Sequence, residues 1–463
     1  MNHSFPPADQ GMVALNASST HKTSNTHQAV KELTPLKGKN ALVVDSALAT
    51  RRALQDQLSQ LGARSVVFSC TVSEVEQQLS SREFALIVCE YQLEGDRNGQ
   101  QLLEELRISK KLNWATAFMM VTGERSYAKV IAVAEFEPDD YLIKPFTAST
   151  LSDRVVRIFN RKSRLESIYK AVFTGAYDEV PSLCGNLIAQ YPQYTNELQR
   201  MRIEALYKSG QLNQAEQELQ HFMGTDPKPW MSLLMAKLHV ERKCFDDASG
   251  LLQTVVKSNP EYMAACDLFA DVLWEQNNPQ KALETLEKLG AKALDSTYRL
   301  RKMADLSVRV GDNTRSKNYL TKLIDRSRNT SLSQMNDFLQ LSKIYVLEGK
   351  PEEADKLAAR LRGSVNSNEL ELARSIMSIQ KDVSDERCDK AIQKLDVLFQ
   401  EQAASIEDLG PETLTNLLEM CFAVKMQNKG YDLARHISKK KPGKAILERV
   451  RSAIDDFKKN SVE

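Results

Sequence analysis

Polar side chains follow the apolar runs in the first third of this chain. Asp45 and Ser46 come directly after the first run, and Glu90 ends the third. Thr122 and Lys144 end the fourth and fifth. Carboxylates can ligate a hard cation, while hydroxyls and an ammonium can hold an anionic group. The sequence therefore predicts one charged site, provided that the fold brings these ends together.

The elements that would position these residues alternate between strand and helix. Apolar residues fall at helical spacing between the runs, as Leu54, Leu58 and Leu61 do before Gly62. We predict strands at 41–44, 65–68, 84–89, 117–121 and 141–143, with a fourth helix over 127–136 and a fifth over 151–159. Apolar strands that are each followed by a helix predict a doubly wound, five-stranded parallel α/β sheet, with its site at the carboxyl ends of the strands.

Four motifs carry a family resemblance over residues 38–160. They are V-V-D-S at 43–46, I-V-C-E-Y-Q-L at 87–93, M-V-T-G at 120–123 and D-D-Y-L-I-K-P-F-T at 139–147. This region resembles the flavodoxin-like receiver domains of bacterial response regulators. The resemblance implies a pocket in which an aspartate accepts a phosphoryl group from a histidine kinase, while acids hold Mg²⁺ and a lysine and a hydroxyl bind the phosphoryl oxygens.

Several site residues carry over from that family by position. Asp45 matches its first acid, Thr122 its phosphoryl-sensing hydroxyl, Lys144 its phosphoryl-binding lysine and Tyr141 its aromatic switch. Without the family, Tyr141 is a half-buried packing residue and Thr122 an ordinary strand-end residue. Both interpretations stay open for these two positions.

Two positions depart from the family. Ser46 replaces the second acid, which leaves Asp45 as the acidic metal ligand, so we expect Mg²⁺ to bind weakly or not at all and no other cofactor to bind. Glu90 replaces the phosphoacceptor aspartate. The added C–C bond of ~1.5 Å pushes the carboxylate toward the space of the phosphoryl group, and in-line attack tolerates less than that. We therefore expect phosphotransfer to be lost or very slow.

Three interpretations of Glu90 remain. It is a built-in mimic of the phosphoryl group that engages Lys144 and Thr122, or its ion pair with Lys144 only keeps a degenerate pocket satisfied, or it still accepts phosphate. Asp139 and Asp140 are predicted to cap or turn the loop before the fifth strand, without a chemical role.

The region 164–460 loses the strand pattern and shows an internal period instead. Turn-forming residues recur at intervals of 33 to 38 residues: Gly175, Gly210, Lys243, Asn277, Gly311 and Gly349. Mostly small residues lie five positions after them, at Val180, Ala215, Ala248, Ala282, Ser316 and Ala354, and seven before the last four, at Ala236, Ala270, Ala304 and Ser342. This region resembles tetratricopeptide repeats, and Ala391 and Ala434 indicate further helix pairs.

Such an array buries a core between stacked helix pairs and leaves a concave groove that binds segments of other proteins. The receiver-like domain is expected to add a second surface, formed by its fourth helix, fifth strand and fifth helix, for a partner or a homodimer. A histidine kinase or a regulatory factor is a candidate partner.

Composition narrows the remaining function classes. The 463 residues carry 62 basic and 61 acidic side chains, a net charge of +1, which argues against nucleic acid or an anionic membrane as partner. Seven scattered cysteines indicate reduced thiols in a cytoplasmic protein. His221, His239 and His436 lack acidic or thiol partners at ligand spacing, which indicates packing or surface roles.

The sequence therefore predicts a cytoplasmic signalling adaptor that is not an enzyme. Residues 1–37 are expected to be disordered, with receiver-like and repeat domains after them. The alternative is a response regulator that still accepts phosphate from a histidine kinase.

Overall fold

The computed structural model describes residues 34–94, 97–123, 138–224, 227–260, 262–290, 296–328, 330, 332–361 and 367–460. Most of the predicted disordered segment 1–37 and the whole predicted helix at 127–136 lie outside these residues. Side chains at 367, 368, 404, 444, 445 and 460 are likewise not described.

A five-stranded parallel sheet forms the first part of the chain. Its strands are β1 (Asn40–Val44), β2 (Ser65–Ser69), β3 (Leu86–Glu90), β4 (Ala117–Thr122) and β5 (Asp140–Ile143). They lie in the order β2-β1-β3-β4-β5, and every neighbouring pair is parallel. The order reverses direction beside β1, as in doubly wound sheets, so the crevice lies at the carboxyl ends of β1 and β3.

Helices cover both faces of this sheet. They are α1 (Leu48–Gln60), α2 (Val72–Ser81), α3 (Gly99–Ile108) and α4 (Ala148–Arg164). Alternate strand residues point to opposite faces, so Val43 and Val88 pack in the core that contains Leu54 and Leu58 of α1, together with residues of α4. Their neighbours along the strands pack in a second core with residues of α2 and α3. This double burial explains why the strand segments are continuously apolar.

Helical hairpins follow in the same compact unit, which extends to residue 295. They are α5 (Glu166–Thr174) with α6 (Val180–Gln190), α7 (Thr195–Lys208) with α8 (Leu212–Met223), α9 (Pro229–Glu241) with α10 (Phe245–Ser258), and α11 (Met263–Glu275) with α12 (Pro279–Glu287). A short 3₁₀ turn at Pro192–Tyr194 precedes α7.

A second compact unit runs from residue 296 to the end. Its helices are α13 (Thr297–Arg309), α14 (Asn313–Arg326), α15 (Met335–Leu347), α16 (Pro351–Arg360), α17 (Ser367–Ser384), α18 (Cys388–Glu401), α19 (Ala403–Asp408), α20 (Pro411–Ala423), α21 (Gln427–Lys439) and α22 (Lys444–Asn460). The final helix α22 packs against α20 and covers the end of the array.

The turn inside each hairpin has one backbone form. All the predicted turn residues have a left-handed φ, from 59° at Asn277 to 80° at Gly210. At Gly210, the amide of the turn residue donates to Tyr207 O and the next amide to Leu206 O, which is the Schellman pattern. Glu386 and Lys425 make the same turn in the later hairpins, without a glycine at the turn position.

The small residues around these turns are buried where two helices approach closely. Ala215 and Ala248, five residues after their turns, and Ala236 and Ala270, seven before theirs, have no exposed surface. Ala391 is buried in the same way, but the corresponding residue of the last hairpin is Gly430 rather than Ala434. The fold class, a doubly wound sheet followed by a helical hairpin array, is confirmed.

The predicted domain boundary at 160–164 falls at the end of α4, and that boundary stays a prediction. No helix among the described residues is both long enough and apolar enough to span a bilayer.

Candidate functional site

Three charged side chains meet at the carboxyl edge of the sheet. Lys144, just past β5, donates a hydrogen bond of 2.8 Å to Asp45 Oδ2, and its ammonium also contacts Glu90 Oε2. Asp45 Oδ1 accepts from the Ala47 amide at 2.8 Å, so the aspartate is held by the turn that follows β1. The strand ends thus meet as predicted and form one ion-pair cluster.

The backbone around Glu90 is fixed by the loop that returns to α3. Glu90 Oε1 accepts from the Tyr91 amide at 2.9 Å. A Cβ at Gly99 would lie 2.3 Å from Glu90 O, so only glycine allows the start of α3 to approach the strand end this closely. Asn98 and Gln101 cap the helix reciprocally at that point. This close approach sets the position of Glu90.

The cluster is largely closed to solvent. The side-chain exposures are 5% for Asp45, 12% for Glu90 and 25% for Lys144. Burial acts to lower the pKa of Lys144, but its hydrogen bonds and charge interactions with Asp45 and Glu90 outweigh burial, so the pKa is raised. The lysine therefore stays protonated and provides one positive charge between two carboxylates.

The other predicted site residues lie on β4, on β5 and in the turn after β1. Thr122 is buried at the end of β4, and its carbonyl accepts from the Lys144 amide at 2.7 Å. Tyr141 is half-buried and packs against the core that covers α2 and α3. Ser46 is exposed in the turn after β1. The fold thus places Asp45, Ser46, Glu90, Thr122 and Lys144 at one edge and Tyr141 within β5, while the roles of all six stay predictions.

Mg²⁺ fits this donor set poorly. The ion takes octahedral oxygen coordination and in proteins relies on carboxylates. Here Ser46 offers a hydroxyl in place of a carboxylate, and the ammonium of Lys144 contacts both Asp45 and Glu90. The lysine already neutralises one of the two carboxylates, and no step of a mechanism is assigned to a metal.

Asp139 and Asp140 do more than turn the chain into β5. Asp140 is buried and binds Arg154 at 2.6 Å and Arg157 at 2.7 Å, both on α4. Asp139 accepts from the Phe118 amide at 2.9 Å and pairs with Lys162 at 3.1 Å. Burial acts to raise the pKa of Asp139, but the Lys162 charge and other basic groups outweigh it and lower the pKa.

This ion-pair network extends from the sheet into the first hairpins. Lys162 Nζ also donates to Trp114 O at 3.0 Å and lies 5.4 Å from the ring centroid of Tyr169 on α5. The hydroxyl of Tyr169 donates to Glu197 Oε1 of α7 at 3.4 Å. The sequence pattern did not reveal this link, because partners such as Trp114 and Lys162, or Tyr169 and Glu197, are far apart along the chain.

Comparison with known proteins places the first part of the chain. Residues 41–156 match the family model described as the response regulator receiver domain. The chain is 27% identical over 125 residues to chemotaxis protein CheY-3 of Vibrio cholerae, covering 27% of this chain and 95% of that protein. It is 28% identical over 120 residues to chemotaxis protein CheY of Pseudomonas aeruginosa, covering 26% of this chain and 95% of that protein.

Two solved structures are each similar to a part of the chain. A signal receiver domain from Pseudomonas fluorescens Pf-5 is 27% identical, with a TM-score of 0.25, covering 27% of this chain and 97% of that one. A tetratricopeptide repeat protein from Parabacteroides merdae is 16% identical, with a TM-score of 0.35, covering 56% of this chain and 97% of that one. With the sheet order and the ion-pair site, the family match identifies residues 41–156 as a response regulator receiver domain.

Proposed function

We propose that this protein is a cytoplasmic signalling adaptor of a two-component-type pathway, with a receiver that does not take up phosphate and a hairpin array that binds another protein. The observation that supports it is the ammonium of Lys144, which contacts both Asp45 and Glu90. The lysine that would bind an incoming phosphoryl group is engaged by a carboxylate of the chain itself.

Glu90 is fixed where an acceptor would need freedom to attack. One of its oxygens contacts Lys144, and the other accepts from the Tyr91 amide. Attack on a phosphohistidine needs a free oxygen aligned with the phosphorus within a fraction of an ångström. The pocket thus holds a permanent negative charge beside Lys144. In this proposal that charge keeps the receiver in one arrangement.

A series of side-chain contacts connects this part of the receiver to the first hairpin, and in this proposal it transmits conformational changes. Asp139 precedes β5, Lys162 lies in the last turn of α4, and Tyr169 lies on α5. Lys162 contacts both of the others. Because these side chains are half-buried and contact one another, a shift at the edge of β5 would change the contacts of the first hairpin. The receiver would therefore bias the repeats, and partner binding at the repeats would bias the receiver equally.

The first helices of the hairpins offer the surface for a partner. Within the second compact unit, large exposed apolar side chains on these helices include Tyr298 and Val308 on α13 and Leu347 on α15. In this proposal, neighbouring hairpins present such side chains on one shared surface, the groove. We assign the groove to a protein segment. The receiver surface is assigned to a second partner, such as a histidine kinase or another copy of this chain.

The absence of bonded cysteines agrees with a reducing compartment. All seven cysteines are free thiols, four of them buried. Disulfides are rare in the cytosol, so a cytoplasmic location belongs to the proposal.

Partner capture from the native host tests this function. Full-length wild type, Glu90→Ala and Val308→Asp would be compared, with Val397→Asp as the matched control, since Val308 and Val397 are each 45% exposed but Val397 lies on the second helix of its hairpin. We expect Val308→Asp to lose the partner, Glu90→Ala to change its yield, and Val397→Asp to match wild type. Equal recovery by all four proteins would contradict the adaptor role.

A further inference from the structure

The turn between α9 and α10 brings together three side chains that can ligate a metal. The ligand atoms of His239, Cys244 and Asp247 all lie within 4.8 Å of one another. The sequence-based view that His239 lacks thiol and acidic neighbours is wrong, because the turn folds the start of α10 back onto the end of α9. We propose that these three residues form a binding site for a zinc ion.

The backbone fixes this arrangement before any ion binds. The amide of Cys244 donates to His239 O at 2.9 Å, across the left-handed residue Lys243 with its φ of 61°. Asp247 lies three residues after Cys244 and therefore one turn along the same helix face. The ligands thus belong to a rigid Schellman turn rather than to a loose loop, which reduces the entropy lost on binding.

The other hairpin turns show that the fold does not require these residue types. The corresponding positions lie four before, one after and four after the left-handed residue. At Gly210 they hold Leu206, Gln211 and Gln214, and at Asn277 they hold Leu273, Asn278 and Lys281. Among the hairpin turns that the structure describes, three ligating types coincide at these positions only around Lys243.

The donor atoms select the class of metal. An imidazole nitrogen, a thiolate sulfur and a carboxylate oxygen together suit Zn²⁺, whereas Mg²⁺ and Ca²⁺ take oxygen ligands. His239 is half-buried, while Cys244 and Asp247 are exposed. Three protein ligands at an exposed turn leave the fourth tetrahedral position to water or to a donor from another molecule. Binding would release the thiol proton to the buffer as the zinc–sulfur bond forms.

Cobalt substitution tests the site with a signal specific to sulfur. The metal-free full-length protein would be titrated with Co²⁺ while the absorbance of the thiolate-to-cobalt charge-transfer band is recorded. Zn²⁺ would then be added to displace the cobalt. We expect one equivalent of Co²⁺ to produce the band and Zn²⁺ to abolish it. Cys244→Ser should remove the band. His239→Gln and Asp247→Asn should each weaken metal binding at least about tenfold. Removing a residue that only hydrogen-bonds to a metal ligand already lowers metal affinity by about that factor.

Cys388→Ser is the matched control. Cys388 is also an exposed thiol at the start of the second helix of a hairpin, beside Asp389. This variant should bind as wild type does, and circular dichroism would show that all variants keep their helices. The proposal is overturned if wild type gives no thiolate band, if Cys244→Ser retains it, or if Cys388→Ser loses it.

Discussion

The ammonium of Lys144 lies between two carboxylates, and Glu90 contacts it through Oε2. The same ammonium binds Asp45 Oδ2 at 2.8 Å. One positive charge of the chain is therefore shared by two carboxylates of this receiver pocket. The pocket's stability depends on the lysine.

Removing that lysine should destabilise the receiver. In Lys144→Met, Asp45 and Glu90 would face each other without a counter-charge. Removing one partner of a fully buried ion pair costs about 3–5 kcal/mol. Lys144 keeps 25% of its side chain exposed, so we expect a smaller loss, about 1–3 kcal/mol. Hydrogen exchange at the amides of Val43 and Val88 would measure it locally.

Lys356→Met is the control for this measurement. Lys356 also binds a carboxylate, Glu353, at 2.7 Å, but its side chain is 69% exposed. Its removal should leave exchange in the sheet unchanged. Equal protection of Val43 in the Lys144 variant and in wild type would contradict a structural role for the cluster.

Gly430 should tolerate no side chain. A Cβ there would lie 2.5 Å from Cε1 of Phe422, whose ring is held by Phe457 at a centroid distance of 4.8 Å. We expect Gly430→Ala to destabilise the last hairpin by about 1–3 kcal/mol, the cost of overpacking. The control Gly250→Ala meets nothing within 4 Å in the middle of α10, and should stabilise slightly, because alanine favours helix. Urea unfolding would compare the two.

The second compact unit should become more stable on mild acidification. Burial, together with the charges of Glu412 and Asp337, raises the pKa of Asp305 to about 7. An unfolded aspartate titrates near 3.9, so between about pH 4 and pH 7 the folded state binds the extra proton. Stability in that window falls as the pH rises, and the unfolding midpoint should therefore increase from pH 8 to pH 5.5.

Asp305→Asn should flatten this dependence and raise the midpoint at pH 8, because it removes the charge that burial disfavours. Asp325→Asn serves as the control, since that carboxylate is 60% exposed and binds Arg360 at the surface. A pH dependence that persists unchanged in Asp305→Asn would assign it to another group. Glu412 is then the next candidate, as its pKa is also raised by burial.

The repeats were predictable from the sequence wherever the hairpin turn is made by glycine, the residue that most readily adopts a left-handed backbone conformation. Gly210 and Gly311 mark their turns because glycine takes a left-handed φ without strain. Glu386 and Lys425 take the same conformation without leaving such a signal, so the last turns could not be read from the sequence. The hairpin that contains the buried Ala391 was predictable, because two helices in close contact need a small residue at that position.

The location of the site was predictable from the sequence, but most of its side-chain contacts were not. Asp45, Glu90 and Lys144 meet because the ends of parallel strands share one edge, which the strand pattern alone establishes. The ion pairs of Asp140 were not foreseen, since a strand pattern does not say which helix residues will face a loop. Nor could spacing along the sequence reveal that a turn would fold Cys244 onto His239.

Phosphoryl uptake tests the central claim most directly. Wild type, Glu90→Gln and Glu90→Asp would be incubated with Mg²⁺ and acetyl phosphate, and their intact masses followed over time. We expect no gain in wild type or in Glu90→Gln, since Glu90 is bound to Lys144 and is too long for in-line attack. Any slow labelling should appear in Glu90→Asp. A gain of one phosphoryl group in wild type that disappears in Glu90→Gln would contradict the account.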